Sequence, residues 1–314
     1  MVRKDYKIIF MGTSEFAVPI LEKLASSNFN IVGVFCQPDR QKGRGLKYQH
    51  CAMKNIASQY NFSLFQPENL KNKVIAGKIQ DLKPELIIVA AYGLIIPRTI
   101  LEIPRHGCLN VHPSLLSRYR GSSPIQGAII DGEKETGVTV MLLDEKVDHG
   151  PILAQRKIKI EQYDDIFSLS ERLAKRGANL LLKILPLYLA GEIKPVQQDH
   201  MQATLTKIIR KEDGQIDWSE DAARIARKIR AYLGWPGSFI FWGEKRIIIL
   251  EAEAKNADRY REKNGEVFNI NSEIYVQCGQ NVLKIKKLRL EGKKEVTGVE
   301  FLRGYVGIIG AVLR

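Results

Sequence analysis

Residues 85–91 constrain the fold more than any other stretch. Leu86, Ile87, Ile88 and Val89 follow one another without a polar alternate. A strand with one face in water alternates apolar and polar side chains; one that does not is covered on both faces, as inside a parallel sheet flanked by helices. The opening of the chain agrees. Residues 7–11 form a short apolar run that ends at Gly12-Thr13, and a helical pattern over residues 15–26 puts Phe16, Ile20, Leu21 and Leu24 on one side. Strand, glycine turn and helix begin an α/β sheet. Gly12 lacks the companions of a Gly-x-Gly-x-x-Gly turn, so dinucleotide binding is not expected.

The same grammar continues. Strands are predicted at residues 30–36, 64–65, 108–112, 136–143 and 150–160, and helices at 51–60, 73–82 and from Ser123-Pro124 onward. Asp164 and Asp165 offer an N-cap to a long helix reaching residue 190, where Ile166, Leu169, Leu173, Leu180 and Ile184 make one buried stripe. This is a Rossmann-like, mostly parallel sheet with helices on both faces. A chain of 314 residues exceeds most single cores, and two domains are expected: 1–190, a polar linker at 191–205, and 206–314. In the last part, short strands between Gly and Asn turns point to a small barrel. No run approaches the length of a membrane span. The start is charged and leads straight into a strand, so no secretory leader is expected. Cys36, Cys51, Cys108 and Cys278 show no Cys-x-x-Cys spacing, which reads as reduced, buried thiols in a cytoplasmic protein with no metal site.

The chemistry concentrates after the strand at 108–112. Side chains two apart share a strand face, so Asn110 and His112 point the same way at its carboxyl end, where open α/β sheets bind ligands. A neutral amide donor beside an imidazole suits a reaction in which a carbonyl oxygen becomes negative. Alone, a histidine at a strand end is more often a structural hydrogen-bonding group. A carboxylate in the loop after the next strand, which holds Asp144, Glu145 and Asp148, could turn back to orient His112 and complete a set. A different signal lies at residues 37–47, where Arg40, Lys42, Arg44 and Lys47 crowd a loop in which Pro38, Gly43 and Gly45 forbid regular structure. The formal net charge of +13 implies an anionic partner, of which nucleic acid is the usual one. Arg224, Arg227, Lys228 and Arg230 fall largely along one helix side, and Lys284, Lys286 and Lys287 are weaker candidates for phosphate contacts.

Asn110-x-His112-Pro113-Ser114-Leu115-Leu116, Arg118-Tyr119-Arg120-Gly121 and Asp148-x-Gly150 resemble the signature of the folate-dependent formyltransferases. The likeness runs from Ile8 through most of the chain, taking in Trp218 and Trp235-Pro236. It implies that Asn110, His112 and Asp148 are catalytic. It also implies that Ser114, Leu115, Leu116 and Ser117 bind the folate, and that the Tyr92-Gly93 turn lines the pteridine pocket with backbone groups. One departure stands out: the family usually has Pro at position 117, and Ser leaves the loop less constrained in φ. The basic loop resembles the insertion that enters the acceptor stem of initiator tRNA, with Arg44 the principal residue, Arg40 in support and Lys42 and Lys47 adding charge. The implied reaction takes a formyl group from 10-formyltetrahydrofolate to the α-amino group of methionine on initiator tRNA, without metal, in a monomer whose carboxyl-terminal domain is an OB-like β-barrel.

Three alternatives stay open at this level. A purine-pathway formyltransferase would share the three residues but not need the barrel. A sugar-nucleotide formyltransferase would share the barrel, with the basic loop arguing against it. An RNA-binding protein with a dead site would not be expected to keep all three residues.

Overall fold

The computed structural model describes residues 6–42, 47–49, 51–257, 261 and 263–314. It divides into two compact units. The first contains the chain up to Pro124 with Glu135–Lys159 and Ser170–Thr206; the second contains Ile125–Lys134, Ile160–Leu169 and the chain from Lys207 on.

The strands of the first unit are β1 (Lys7–Gly12), β2 (Asn30–Phe35), β3 (Arg40–Lys42), β4 (Lys47–Gln49), β5 (Leu64–Phe65), β6 (Leu86–Ala90), β7 (Cys108–His112), β8 (Arg120–Gly121), β9 (Glu135–Leu142), β10 (Ile152–Lys159) and β11 (Leu205–Thr206). Seven of them form one sheet in the order β10-β9-β7-β6-β1-β2-β5. The apolar strand β6 is buried along its whole length and lies between β1 and β7, parallel to both. Only the β9 and β10 edge is antiparallel. The unit's helices are α1 (Val18–Ala25), α2 (Met53–Gln59), α3 (Lys73–Asp81) and α4 (Arg98–Leu101); α5 (Pro124–Asp131) falls in the second unit from Ile125 on, and α6 (Ile166–Leu189) falls in the first unit from Ser170 on. Ile79 of α3 and Ile100 of α4 share a core cluster with Ile87, Val89 and Cys108. On the opposite face Gly177 of α6 lies so close to β7 that a Cβ there would sit 2.7 Å from a Val111 methyl. Cys108 and Val111 are three apart on one strand and so point to opposite faces. Helices therefore cover both.

Two features differ from the sequence reading. Regular structure does occur in the basic loop: β3 and β4 pair antiparallel, with Arg40 opposite Gln49 and Lys42 opposite Lys47. The paired segments contain no Pro or Gly, and the glycines fall between them. The segment at 191–205 is bound into the first unit. Val196 exchanges backbone hydrogen bonds with Ile152, and β11 runs parallel to β8, Leu205 opposite Arg120 and Thr206 opposite Gly121.

The second unit holds α7 (Ala222–Ala231), β12 (Ser238–Trp242), β13 (Lys245–Lys255), β14 (Val267–Ile270), β15 (Glu273–Gln277), β16 (Val282–Leu290), β17 (Val296–Thr297) and α8 (Gly298–Gly304). Its sheet is antiparallel in the order β12-β13-β16-β15-β14, with β17 on β16, the OB-like arrangement expected. Register shifts beside Glu251 bend the long β13. Ala222, Ile225, Ala226 and Ile229 of α7 join Ile247, Ile249, Val276, Leu283 and Ile285 in one core.

Candidate active site

Asn110 and His112 stand on the Cys108 face of β7 at its carboxyl end. β9 returns antiparallel beside them, His112 opposite Thr139. The chain beyond β9 is pulled back over β7 by two backbone bonds, Leu142 N–H to Pro151 O at 2.9 Å and Leu143 N–H to Cys108 O at 2.8 Å. Gly150 is required for that return, since a Cβ there would lie 2.1 Å from the Leu142 carbonyl oxygen. Asp148 occupies the apex with φ of 47°, a left-handed conformation that Asp tolerates better than most residues.

This fold-back brings the three residues together. Asp148 Oδ1 lies 3.4 Å from the Asn110 amide nitrogen and 3.5 Å from His112 Nδ1, while Asp148 Oδ2 accepts the Gly121 N–H at 2.8 Å. His112 is 4% exposed and Asn110 half-buried. The Nε2 atom of His112 is 2.9 Å from the Tyr119 carbonyl oxygen. Both ring nitrogens thus face oxygen acceptors, and a doubly protonated ring would donate to both. The set contains a donor amide, an imidazole and a carboxylate but no serine, cysteine or lysine nucleophile.

The loop from Ser114 to Gly121 is anchored at nearly every residue. Thr139 Oγ1, fully buried, donates to the Ser114 carbonyl at 2.7 Å and accepts the Leu116 N–H at 3.1 Å. Gln155 Nε2 donates to the Leu116 carbonyl at 2.6 Å. Leu115 packs close to Gly137 of β9, where any Cβ would clash with it. Ser114 Oγ donates to the Arg118 carbonyl at 2.7 Å. The expected looseness at Ser117 is not found: its hydroxyl donates to the Asp199 carbonyl at 2.6 Å and its carbonyl accepts the Thr204 N–H at 3.3 Å. One side-chain and one backbone hydrogen bond replace the constraint a proline ring would give. Tyr119 N–H donates to Thr204 Oγ1 at 2.8 Å.

The other singled-out residues are dispersed. Tyr92 and Gly93 follow β6, next to the Asn110 end of β7. The Tyr92 ring is in the core, and its carbonyl already accepts from Thr13 Oγ1 at 2.7 Å and Gln37 Nε2 at 2.9 Å. Gly93 is exposed with φ of 79°. Arg40, Lys42 and Lys47 lie on the β3-β4 hairpin; Arg44 falls outside the described residues. On the second unit Lys284, Lys286 and Lys287 pair with Glu273, Glu251 and Glu295 at 2.6, 3.2 and 3.6 Å. On α7, Lys228 pairs with Glu220 at 2.7 Å, and Arg227 and Arg230 donate to the Ile130 and Asp164 carbonyls at 2.9 and 3.1 Å. Sequence reasoning missed Thr139, Gln155, Gln198, His200 and Thr204 as site residues, and gave Arg120 no role although it stands in the quoted signature. Their partners are remote in the chain, and no periodicity or spacing marks the first five.

The sequence profile described as formyl transferase matches residues 6–185, and that described as formyl transferase, C-terminal domain, matches 208–306. The chain belongs to the formyl transferase family. This formyl transferase is 41% identical to the methionyl-tRNA formyltransferase of Caldanaerobacter subterraneus, over 98% of its own length and all of the relative's. Among solved structures it resembles a methionyl-tRNA formyltransferase from Clostridium thermocellum, with TM-score 0.55, 21% identity and coverage of 89% of this chain and 99% of that one. It also resembles HypX from Aquifex aeolicus in complex with tetrahydrofolic acid, with TM-score 0.62, 17% identity and coverage of 96% and 48%. No helix among the described residues of this formyl transferase is long and apolar enough to cross a membrane.

Proposed function

We propose that this chain transfers the formyl group of 10-formyltetrahydrofolate to the α-amino group of methionine on initiator tRNA, in the cytoplasm. The observation that carries the reading is the meeting of Asn110, His112 and Asp148 around one carboxylate oxygen, with no nucleophile among them. A site without a nucleophile suits direct attack. The neutral amine forms a bond to the formyl carbon, and the carbonyl oxygen becomes an oxyanion that accepts from the Asn110 amide, beside the His112 ring that the Tyr119 carbonyl and Asp148 hold in place. Collapse breaks the bond to the folate nitrogen, which takes up a proton, while the proton lost by the attacking amine leaves toward Asp148. The formyl donor is held by the loop from Ser114 to Ser117 and by backbone groups at Gly93; the Tyr92 carbonyl has both lone pairs engaged within the protein. The arginines and lysines of the β3-β4 hairpin, with Arg44 between its strands, bind the tRNA acceptor stem.

The test is formylation of charged initiator tRNA with 10-formyltetrahydrofolate, compared at two salt concentrations and against an amino-sugar nucleotide. Rapid formylation of the tRNA that weakens steeply with salt is expected. Transfer to the amino sugar in preference to the tRNA overturns the reading.

A further inference from the structure

Asp148 is gripped from its backbone as well as from its carboxylate. Gln198, on the segment between α6 and β11, sends its amide nitrogen to the carbonyl oxygens of Asp148 at 2.9 Å and Gly150 at 2.7 Å. It is only 6% exposed and lies 50 residues from Asp148 in the chain. The two carbonyls bracket the turn that aims the carboxylate, so one amide fixes both of its ends.

The orientation of that amide is itself imposed. The Gln198 oxygen accepts from Arg120 Nε at 3.1 Å and Nη2 at 2.6 Å. A flipped amide would put NH2 against a guanidinium, donor against donor, and carbonyl against carbonyl at the turn. Arg120 is 7% exposed, and burying a guanidinium beside neutral acceptors is costly compared with pairing it to a carboxylate. Here both partners are neutral: Gln198, and Nδ1 of His200 at 2.8 Å from Nη2. That ring can accept only while unprotonated at Nδ1. Desolvation and the neighbouring His149, Arg120 and Lys146 push His200 below its ordinary range, against an opposing pull from Asp199. The His149 ring stacks on it at 4.1 Å and faces Asp144 at 2.7 Å. Arg120 immediately precedes Gly121, whose N–H binds Asp148, yet its guanidinium is bound to Gln198 and His200. The arrangement keeps the cation off Asp148 and leaves that carboxylate to Asn110 and His112.

We infer that Gln198, oriented by Arg120, is a positioning residue for the formyl transfer: it holds the turn at Asp148 so that the carboxylate meets Asn110 and His112. The inference rests on the function proposed above. Its decisive variant is Gln198→Glu, which keeps the length and the bond to Arg120 but replaces the two donors with an oxygen facing two carbonyls. We expect kcat to fall about 10- to 100-fold, as a displacement of about 1 Å at a reacting centre does, with KM for folate and tRNA within about twofold of the wild type. A residue with a merely structural role would move the thermal midpoint and leave that kcat-to-KM split absent. Gln198→Met, isosteric and uncharged, serves the same comparison if the glutamate variant does not accumulate folded. Wild-type kcat in the folded variant overturns the inference and leaves the proposed function standing. Wild-type protein that does not formylate initiator tRNA overturns the function instead. In that case a crystal structure of Gln198→Glu decides the positioning: a displaced Asp148 carboxylate is expected, and an unmoved one refutes the inference.

Discussion

Asn110 and His112 share a strand face but not an environment. The imidazole is almost sealed, with one nitrogen toward Tyr119 and the other toward Asp148, whereas the half-buried amide is the donor an incoming substrate can reach. Removing one oxyanion donor of this kind costs about 2.7 to 4 kcal/mol of transition-state stabilisation. Asn110→Ala is accordingly expected to lower turnover by roughly 10² to 10³ with folate affinity retained, measured by single-turnover formylation and folate titration. Near-normal turnover would take Asn110 out of the chemistry. The thiols behave differently from the site residues. Burial pushes Cys108 and Cys278 up to about 12, and the thiolate is the nucleophilic form. Alkylation of the native protein at mildly alkaline pH, read by mass spectrometry, should leave both unmodified until the chain is unfolded; rapid labelling of Cys108 would contradict its place inside β7.

At the level of elements, β9 does more than complete the sheet. Its Thr139 donates to Ser114 and accepts from Leu116 and Gln155, so one hydroxyl ties the folate-binding loop to the strand. Thr139→Val keeps the shape and orphans those groups, each at about 1 to 3 kcal/mol if it stays buried. A lower thermal midpoint together with weaker folate binding is expected, and unchanged folate affinity would show that the loop holds its form without the strand. Away from the site, α8 is closed by a capping box between Thr297 and Glu300; Thr297→Ala should cost about 1 kcal/mol in a denaturant titration with formylation unaltered. What could be read in advance follows the same division. The unbroken apolar run of β6 announced an interior strand, and the Asn110-x-His112 pattern announced two side chains on one face, because each depends on residues close in the chain. The pairing of β8 with β11 is two residues long and carries no period. Gln198 looked like linker because a polar residue buried by distant partners has the same composition as one in water. Likewise α8 hides its start in a Thr-x-x-Glu that follows no obvious apolar run.

Across the whole molecule the question is where a net charge of +13 is available to a polyanion. On the second unit, the lysines at 284, 286 and 287 each face a glutamate, and Arg227 and Arg230 of α7 are spent on backbone carbonyls. The lysine–glutamate pairs are locally neutralised and release few counterions when RNA approaches, and the two arginine side chains, though still charged, are already engaged within the protein. The hairpin of β3 and β4 differs: residues 37–47 hold four arginines and lysines and a single acid, Asp39, which pairs with Lys54 at 2.5 Å at the hairpin's base. The salt response of tRNA use should therefore come chiefly from the hairpin. Each phosphate contact contributes roughly −0.7 to −0.9 to the slope of log affinity against log salt, so four contacts give a slope of about −3 to −4. Arg44→Ala should raise KM for initiator tRNA and flatten that slope by about one contact, while KM for 10-formyltetrahydrofolate stays at its wild-type value. If the variant keeps the full slope, the phosphates are met elsewhere on the chain and the hairpin does not carry the tRNA.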